Sequence, residues 1–229
     1  MYYYGFQYLY YLIPGIILAV YAQAKISAAY NKYSDIYSKR NISGSQAARY
    51  ILDKSGLNYV SINIIEGKLT DNYDPRTKTL NLSRDVYEST SIASISIAAH
   101  EVGHAIQDKL NYMPMRFRET LVPLANLGTT LSMWFIIAGF IFSYILTKVG
   151  IALFFFAVLF QIVTLPVEFD ASRRARLEIE ELDFLDTDEL IGTRQVLGAA
   201  ALTYVAATLT AIGQFLRLIA LIDGSRRRR

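Results

Sequence analysis

The segment SISIAAHEVGHAIQDKL, residues 94–110, contains both histidines of a chain of 229 residues. His100 and His104 are four residues apart, so on an α-helix both imidazoles lie on one face, about one turn from each other. Two imidazoles at this spacing suit one tetrahedral zinc ion, and Gly103 leaves room beside them. Glu101 is rotated by about 100° from the first histidine, which disfavours it as a third ligand from the same turn. Its position suits it instead to accept a proton from a water molecule bound at the metal.

The composition predicts a chain that is partly embedded in a membrane. Hydrophobic residues make up 53% of the chain and charged residues 19%, and the mean hydropathy is +0.26. The charges are segregated, because four runs contain no Asp, Glu, Lys or Arg: 1–24, 120–147, 149–167 and 195–216. Each run approaches or exceeds the roughly 20 residues that a helix needs to cross a bilayer. The absence of cysteine excludes disulfides and thiolate metal sites.

The first apolar run, residues 1–24, is typical of a retained anchor. It has no basic residue before Lys25, unlike a cleaved signal peptide. Tyrosines crowd its start and suit the headgroup region of a bilayer: Tyr2, Tyr3, Tyr4, Tyr8, Tyr10 and Tyr11. Membrane lipids are therefore expected partners.

Basic residues predict the orientation of the chain. They follow the first span, precede the second and follow the third, which places these flanks on the cytoplasmic side if residues 120–167 form a transmembrane hairpin turning at 147–150. The fourth segment, 195–222, does not fit the positive-inside rule, because a full crossing would put Arg217 and the basic tail 223–229 on the outer side. A re-entrant or bent segment and an exception to the rule both stay open. The tail suits a topology or headgroup anchor, so no nucleic-acid partner is expected.

Residues 25–119 form one hydrophilic domain of the α+β class. A capping serine and a closing glycine predict a helix over 43–56. Alternation and β-branched residues predict a strand over 58–67, and 69–83 reads as a hairpin turning at Asp74 and Pro75. A long helix from about Val86 or Ser89 to Leu110 then carries the histidines.

The third zinc ligand has to be a carboxylate, because the chain has no further histidine or cysteine. Residues 120–167 contain no acid, which leaves Glu119 and the acids that begin at Glu168. Glu168 is expected to open a charged helix, 168–194, directly after the third span. Topology favours it over Glu119, which is expected on a loop leading into the bilayer.

Three blocks of the chain resemble the bacterial family of neutral zinc metallopeptidases of the YugP type: residues 67–108, 161–175 and 197–207. The segment EFDAS, 168–172, is also similar to the third-ligand block of the HtpX and prenyl-protein endopeptidases. The resemblance implies a zincin-like, gluzincin-type domain joined to about four transmembrane helices, with Glu168 as third ligand of one Zn²⁺ per chain. Ser172 replaces the aspartate of those relatives and, four residues after Glu168, could still donate a hydrogen bond within the site.

The sequence thus predicts a membrane-embedded zinc endopeptidase with ligands His100, His104 and Glu168 and with Glu101 as general base. A peptide or membrane-protein substrate is expected to pair with an edge strand of the 69–83 hairpin. Four residues remain candidates for oxyanion stabilisation: Tyr112, Arg173, Arg174 and Tyr204. The alternative is a non-catalytic scaffold or adaptor stabilised by zinc. A transporter is disfavoured, because no span contains a charged residue. The oligomeric state stays open.

Overall fold

A computed structural model describes residues 8–226, except for the side chains of Phe140 and of residues 223–226. The expectations for Tyr2, Tyr3 and Tyr4 and for the last three arginines lie outside these residues. The described chain forms a short 3-10 helix, Leu9–Tyr11, followed by α1 Ile13–Ser34, α2 Gly44–Lys54, β1 Ser61–Ile65, β2 Asn72–Asp74, β3 Thr79–Ser83, α3 Arg84–Glu88, α4 Ile92–Lys109, α5 Met113–Ile141, α6 Tyr144–Glu181 and α7 Glu189–Arg226.

The chain divides into two compact units. One comprises the residues up to Ala22, Arg116–Leu165 and the residues from Thr203 onward. The other comprises Gln23–Met115 and Pro166–Leu202. The second unit contains the three strands and all the residues of the predicted metal site.

Among residues 8–226, four helical segments are long and apolar enough to cross a membrane: Leu9–Ser34, Met113–Gly139, Tyr144–Glu181 and Glu189–Ile222. Their most apolar stretches are largely exposed, with at most 28% of the residues buried within the protein. Exposed apolar surface of this extent is costly in water and is accommodated in lipid. The prediction of four membrane-length segments therefore agrees with the helices observed.

The predicted turn at residues 147–150 is wrong. The chain turns at Phe142 and Ser143, between α5 and α6, and residues 147–150 are helical. Gly150 packs against α5, where a Cβ would lie 2.7 Å from the carbonyl oxygen of Ser132. The glycine that suggested a turn thus serves close helix packing, and Lys148 lies over the ring of Tyr144.

The last apolar segment belongs to one continuous helix, α7, which runs from Glu189 to Arg226. A re-entrant segment would interrupt the helix, and the structure has no such interruption between these residues. The continuous helix therefore favours a full-length membrane segment over a re-entrant one.

The helix predicted over 43–56 is observed as α2, with the predicted serine cap and closing glycine. Its capping serine, Ser43, accepts from the backbone N–H of Gln46, and the Gln46 side chain accepts from the N–H of Ser43. The helix closes at Gly56, which has a φ of +64°. Leu57 N–H bonds to the carbonyl of Leu52 there, as in a Schellman motif.

The three strands form one mixed sheet in the order β1-β3-β2. β2 and β3 are antiparallel and joined across Pro75, which confirms the predicted hairpin. β1 is parallel to β3 and lies within the strand predicted over 58–67. The order makes β2 an edge strand.

The helix that carries the histidines begins later than predicted. α3 ends at Glu88, Ser89 is extended, and α4 begins at Ile92 with Ser91 as its N-cap. Hydroxyl side chains compete for backbone hydrogen bonds, which accounts for the break within the run of Ser89, Thr90 and Ser91. The Ser91 hydroxyl accepts from the N–H of Ser94 at 3.1 Å.

The predicted helix over 168–194 is also wrong in its bounds. Glu168 does not open a helix but lies inside α6, which runs without interruption from Tyr144 to Glu181. The helix ends in a Schellman motif, in which Asp183 has a φ of +54° and Phe184 N–H bonds to the carbonyl of Ile179. The charged stretch therefore belongs to two helices, α6 and α7.

The core of the second unit lies between α2, α4 and the sheet. Its fully buried side chains include Ile51, Leu52, Leu57, Val60, Leu80, Leu82, Val86 and Ile95. α4 is buried on several faces, which explains its run of small and branched residues before His100.

The capping box of α2 generates a stability prediction. Ser43→Ala removes the hydroxyl that satisfies the N–H of Gln46, so the free energy of unfolding should fall by roughly 0.5–2 kcal/mol. Unfolding of the purified protein in detergent measures the change. Ser27→Ala, at an exposed position within α1, is the matched control and should not lower the midpoint, because alanine favours helix; equal midpoints for both variants would contradict the capping role.

Candidate metal centre

Three potential metal ligands converge within the second unit. His100, His104 and Glu168 each offer a ligand atom, and these atoms lie within 4.8 Å of one another. Glu168 Oε2 is 3.3 Å from Nε2 of His100 and 3.7 Å from Nε2 of His104. The Glu168 side chain is buried, with a relative exposure of 4%. Residues 64 positions apart in sequence thus meet around one point.

The backbone of α4 approaches α6 closely beside these ligands. A Cβ on Gly103 would lie 2.7 Å from the carbonyl oxygen of Ala171. Gly103 therefore does not provide room for the metal, as the sequence suggested, but allows the two helices to touch. Ala171 follows Glu168 by three residues, so this contact holds the carboxylate against the histidine pair.

Each histidine has a hydrogen-bond partner at Nδ1. His100 Nδ1 lies 3.2 Å from Ser172 Oγ, and His104 Nδ1 lies 3.0 Å from Gln107 Oε1. A neutral imidazole that offers Nε2 to a metal carries its proton on Nδ1, and both partners offer an oxygen there. Ser172 was identified from the sequence, whereas Gln107 was missed. The sequence feature that could have indicated Gln107 is its position three residues beyond His104, which places both side chains on the same face of a helix.

The donor set fits zinc. Two imidazole nitrogens and one carboxylate oxygen are typical ligands of this ion, and three protein ligands are typical of catalytic zinc sites. Both imidazoles have the Nδ1 partners that metal-binding histidines ordinarily have. The three residues could therefore hold one zinc ion.

Glu101 is close to these residues without belonging to the ligand group. Burial raises the pKa of its carboxyl to about 7, while the His100 ring and a backbone hydrogen bond from Tyr73 act in the opposite direction. A carboxyl of this kind exchanges a proton near neutral pH, as a general base requires.

The edge strand β2 is anchored to the same helix. Tyr73 donates its hydroxyl hydrogen to Asp108 at 2.7 Å, and Lys78 binds the same carboxylate at 2.5 Å. Asp108 is a buried residue of α4. The hairpin is thereby fixed so that the backbone of Tyr73 reaches Glu101.

Glu119, the competing third ligand, is not part of the ligand group found among residues 8–226. It lies inside α5, not on the expected loop, and pairs with Arg116 at 3.1 Å. α5 begins at Met113, so the segment that precedes the apolar run is already helical.

The four candidates for oxyanion stabilisation differ in their surroundings. Arg173 and Arg174 both bind Asp170, at 2.6 Å each. Tyr112 packs against the core of the second unit, and Tyr204 lies in α7. The oxyanion-stabilising role of these residues stays a prediction.

Comparison with known proteins identifies relatives. The family model described as "Putative neutral zinc metallopeptidase" matches residues 8–223. A Bacillus subtilis (strain 168) protein described as "Putative membrane protease YugP" is 39% identical over 208 residues, which cover 90% of this chain and 92% of that protein. No solved structure matches this chain.

The contact at Gly103 generates a paired prediction. Gly103→Ala forces α4 and α6 apart, which should weaken zinc binding and cost about 1–3 kcal/mol of stability. Gly198→Ala, on an exposed face of α7 with no atom within 4 Å of the added Cβ, should instead stabilise the protein slightly, because alanine favours helix. Zinc affinity and unfolding midpoints of both variants measure the effect. Normal zinc affinity in Gly103→Ala would refute the close contact.

Proposed function

Because the chain belongs to the family of neutral zinc metallopeptidases, we propose that it is a membrane-embedded zinc endopeptidase. The single observation that carries the proposal is the convergence of His100, His104 and Glu168 beside Glu101. The four apolar helices and the description of the Bacillus subtilis relative as a membrane protease support the membrane setting. Two histidines and a glutamate are the ligand set of gluzincin-type sites, which supports a zincin-like catalytic domain.

The residues of the chain have separate roles in this proposal. His100, His104 and Glu168 hold one zinc ion, which when bound supplies a Lewis acid that polarises the scissile carbonyl and acidifies water. Glu101 accepts a proton from the attacking water at its carboxylate and later delivers it to the leaving amine. Ser172 and Gln107 hold the two imidazoles through Nδ1.

The substrate is proposed to bind as an extended chain along β2. This strand lies at the edge of the sheet, and its Tyr73 backbone is hydrogen-bonded to Glu101. Main-chain pairing with an edge strand would present a peptide bond to the base and the ligands. A substrate recognised in this way is a peptide or an unfolded segment of a membrane protein.

The proposed setting is the cytoplasmic side of a bilayer. Basic residues flank the apolar segments there by the positive-inside rule, including Lys25, Arg118 and Arg173. Glu168 directly follows the apolar run that ends at Val167. Proteins close to the membrane surface, together with lipids, are therefore the proposed partners, and nucleic acid is not.

Zinc content tests the ligand set. Glu168→Ala should lower the zinc bound by the purified protein from about one ion per chain to a small fraction, because a two-histidine site lacks the third protein ligand. Metal analysis after dialysis measures this. Glu119→Gln removes the competing carboxylate and should leave the zinc content unchanged; the opposite pattern would assign the third ligand to Glu119.

Glu101→Gln separates catalysis from metal binding. The amide cannot accept the proton, so cleavage of a casein-like or unfolded membrane substrate should fall by at least about a hundredfold, with zinc retained. Full activity in this variant would refute the mechanism. If zinc removal unfolds the domain while Glu101→Gln keeps all cellular function, the protein is instead a zinc-stabilised scaffold.

A further inference from the structure

Gln107 is a fully buried polar side chain that joins the two helices of the candidate metal centre. Its relative exposure is 0%, and it lies on α4 one turn beyond His104. Its carboxamide contacts His104 on one side and α6 on the other. A polar group buried in this way is costly unless all its hydrogen bonds are made.

The partners of Gln107 determine which way its amide faces. The Nε2 group donates to the carbonyl oxygen of Val167 at 2.8 Å and to Asp170 Oδ2 at 3.0 Å. Both partners only accept hydrogen bonds. A flipped amide would direct its oxygen at these two acceptors and leave the nitrogen facing the imidazole, so the observed orientation is the favoured one.

The fixed amide in turn selects the tautomer of a neutral His104 imidazole. Gln107 presents Oε1 to Nδ1 at 3.0 Å, and an oxygen acceptor requires a hydrogen on that nitrogen. A neutral imidazole has one hydrogen, so Nε2 keeps its lone pair. Nε2 is the atom that points at Glu168.

The α6 end of the link is itself held in place. Asp170 Oδ1 accepts from Arg173 and Oδ2 accepts from Arg174, both at 2.6 Å, in addition to Gln107. Val167 immediately precedes Glu168 in α6. Gln107 therefore connects His104 to the helical turn that presents the carboxylate ligand.

We propose that Gln107 is a positioning residue of the metal centre. It holds His104 as the Nδ1-protonated tautomer and ties that imidazole to the turn of α6 that carries Glu168. The inference depends on the proposed zinc site and adds to it a residue that never touches the metal. Partners of this kind typically alter metal affinity by about ten- to a hundredfold.

A purely structural role is the competing explanation, and α4 offers a matched control. Ser96 is also fully buried on this helix and links it to another helix, through Thr193 Oγ1 at 2.9 Å. Its hydroxyl bonds to the Ile92 carbonyl and to Thr193, and not to an imidazole nitrogen. A substitution at Ser96 should therefore affect stability without affecting the metal.

The experiment measures metal affinity in the purified full-length chain by competition with a chromophoric chelator, using Zn²⁺ and Co²⁺. Gln107→Met keeps the length of the side chain but removes its acceptor and donors, and Zn²⁺ affinity should fall by about ten- to a hundredfold. The visible absorption of bound Co²⁺ should also change, because it reports ligand geometry. Ser96→Ala should bind Zn²⁺ like the wild type with an unchanged Co²⁺ spectrum.

The outcomes separate this inference from the proposed function. Wild-type protein that binds no Zn²⁺ refutes the zinc site itself. Wild-type affinity and spectrum in Gln107→Met refute the role of Gln107 and leave the zinc site intact, and equal losses in Gln107→Met and Ser96→Ala show a merely structural effect. If Gln107→Met does not fold, Gln107→Asn replaces it: its shorter amide cannot span both helices, so unchanged Zn²⁺ affinity there overturns the inference.

Discussion

The contact between α4 and α6 at Gly103 is the constraint on which the candidate site depends. With any side chain at this position, the Cβ would meet the Ala171 carbonyl oxygen at 2.7 Å. The short separation brings Glu168 within 3.7 Å of both imidazole Nε2 atoms and lets Gln107 span the helices. Because packed helices do not adjust continuously, a displacement of one side chain's width would separate the ligands.

α4 also sets the position of the sheet. Gln107 points to α6, whereas the next residue, Asp108, binds Tyr73 and Lys78 of the hairpin. A buried carboxylate such as Asp108 is stable only when it is paired, so the hairpin is held in one register relative to the helix. One helix thereby positions both the ligand pair and the edge strand that lies beside Glu101.

The sequence predicted which side chains come together better than it predicted the bounds of the helices that carry them. The acid-free run over 120–167 left Glu119 and the acids that begin at Glu168 as candidate partners of the histidine pair, and topology together with the family resemblance favoured Glu168. Helix bounds were less predictable, because Gly150 is equally compatible with a turn and with a close helix contact until its neighbours are known. Gln107 was missed for a similar reason. A single glutamine in a sequence is ordinarily expected at the surface, and the partner that buries this one is on α6, 60 residues further along the chain.

In the proposed mechanism, metal binding and catalysis depend on different parts of this arrangement. The Glu168 carboxylate is 96% shielded from solvent, and a buried anion is stabilised by a cation more than by neutral imidazoles. Substitutions among the three candidate ligands are therefore expected to act on folding and on metal affinity together. Glu101 lies outside the ligand group and contacts the edge strand instead. Under the proposed mechanism, a substitution of Glu101 removes the proton acceptor and leaves the helix contact, the three candidate ligands and their Nδ1 partners in place, so it tests proton transfer separately from the structure of the site.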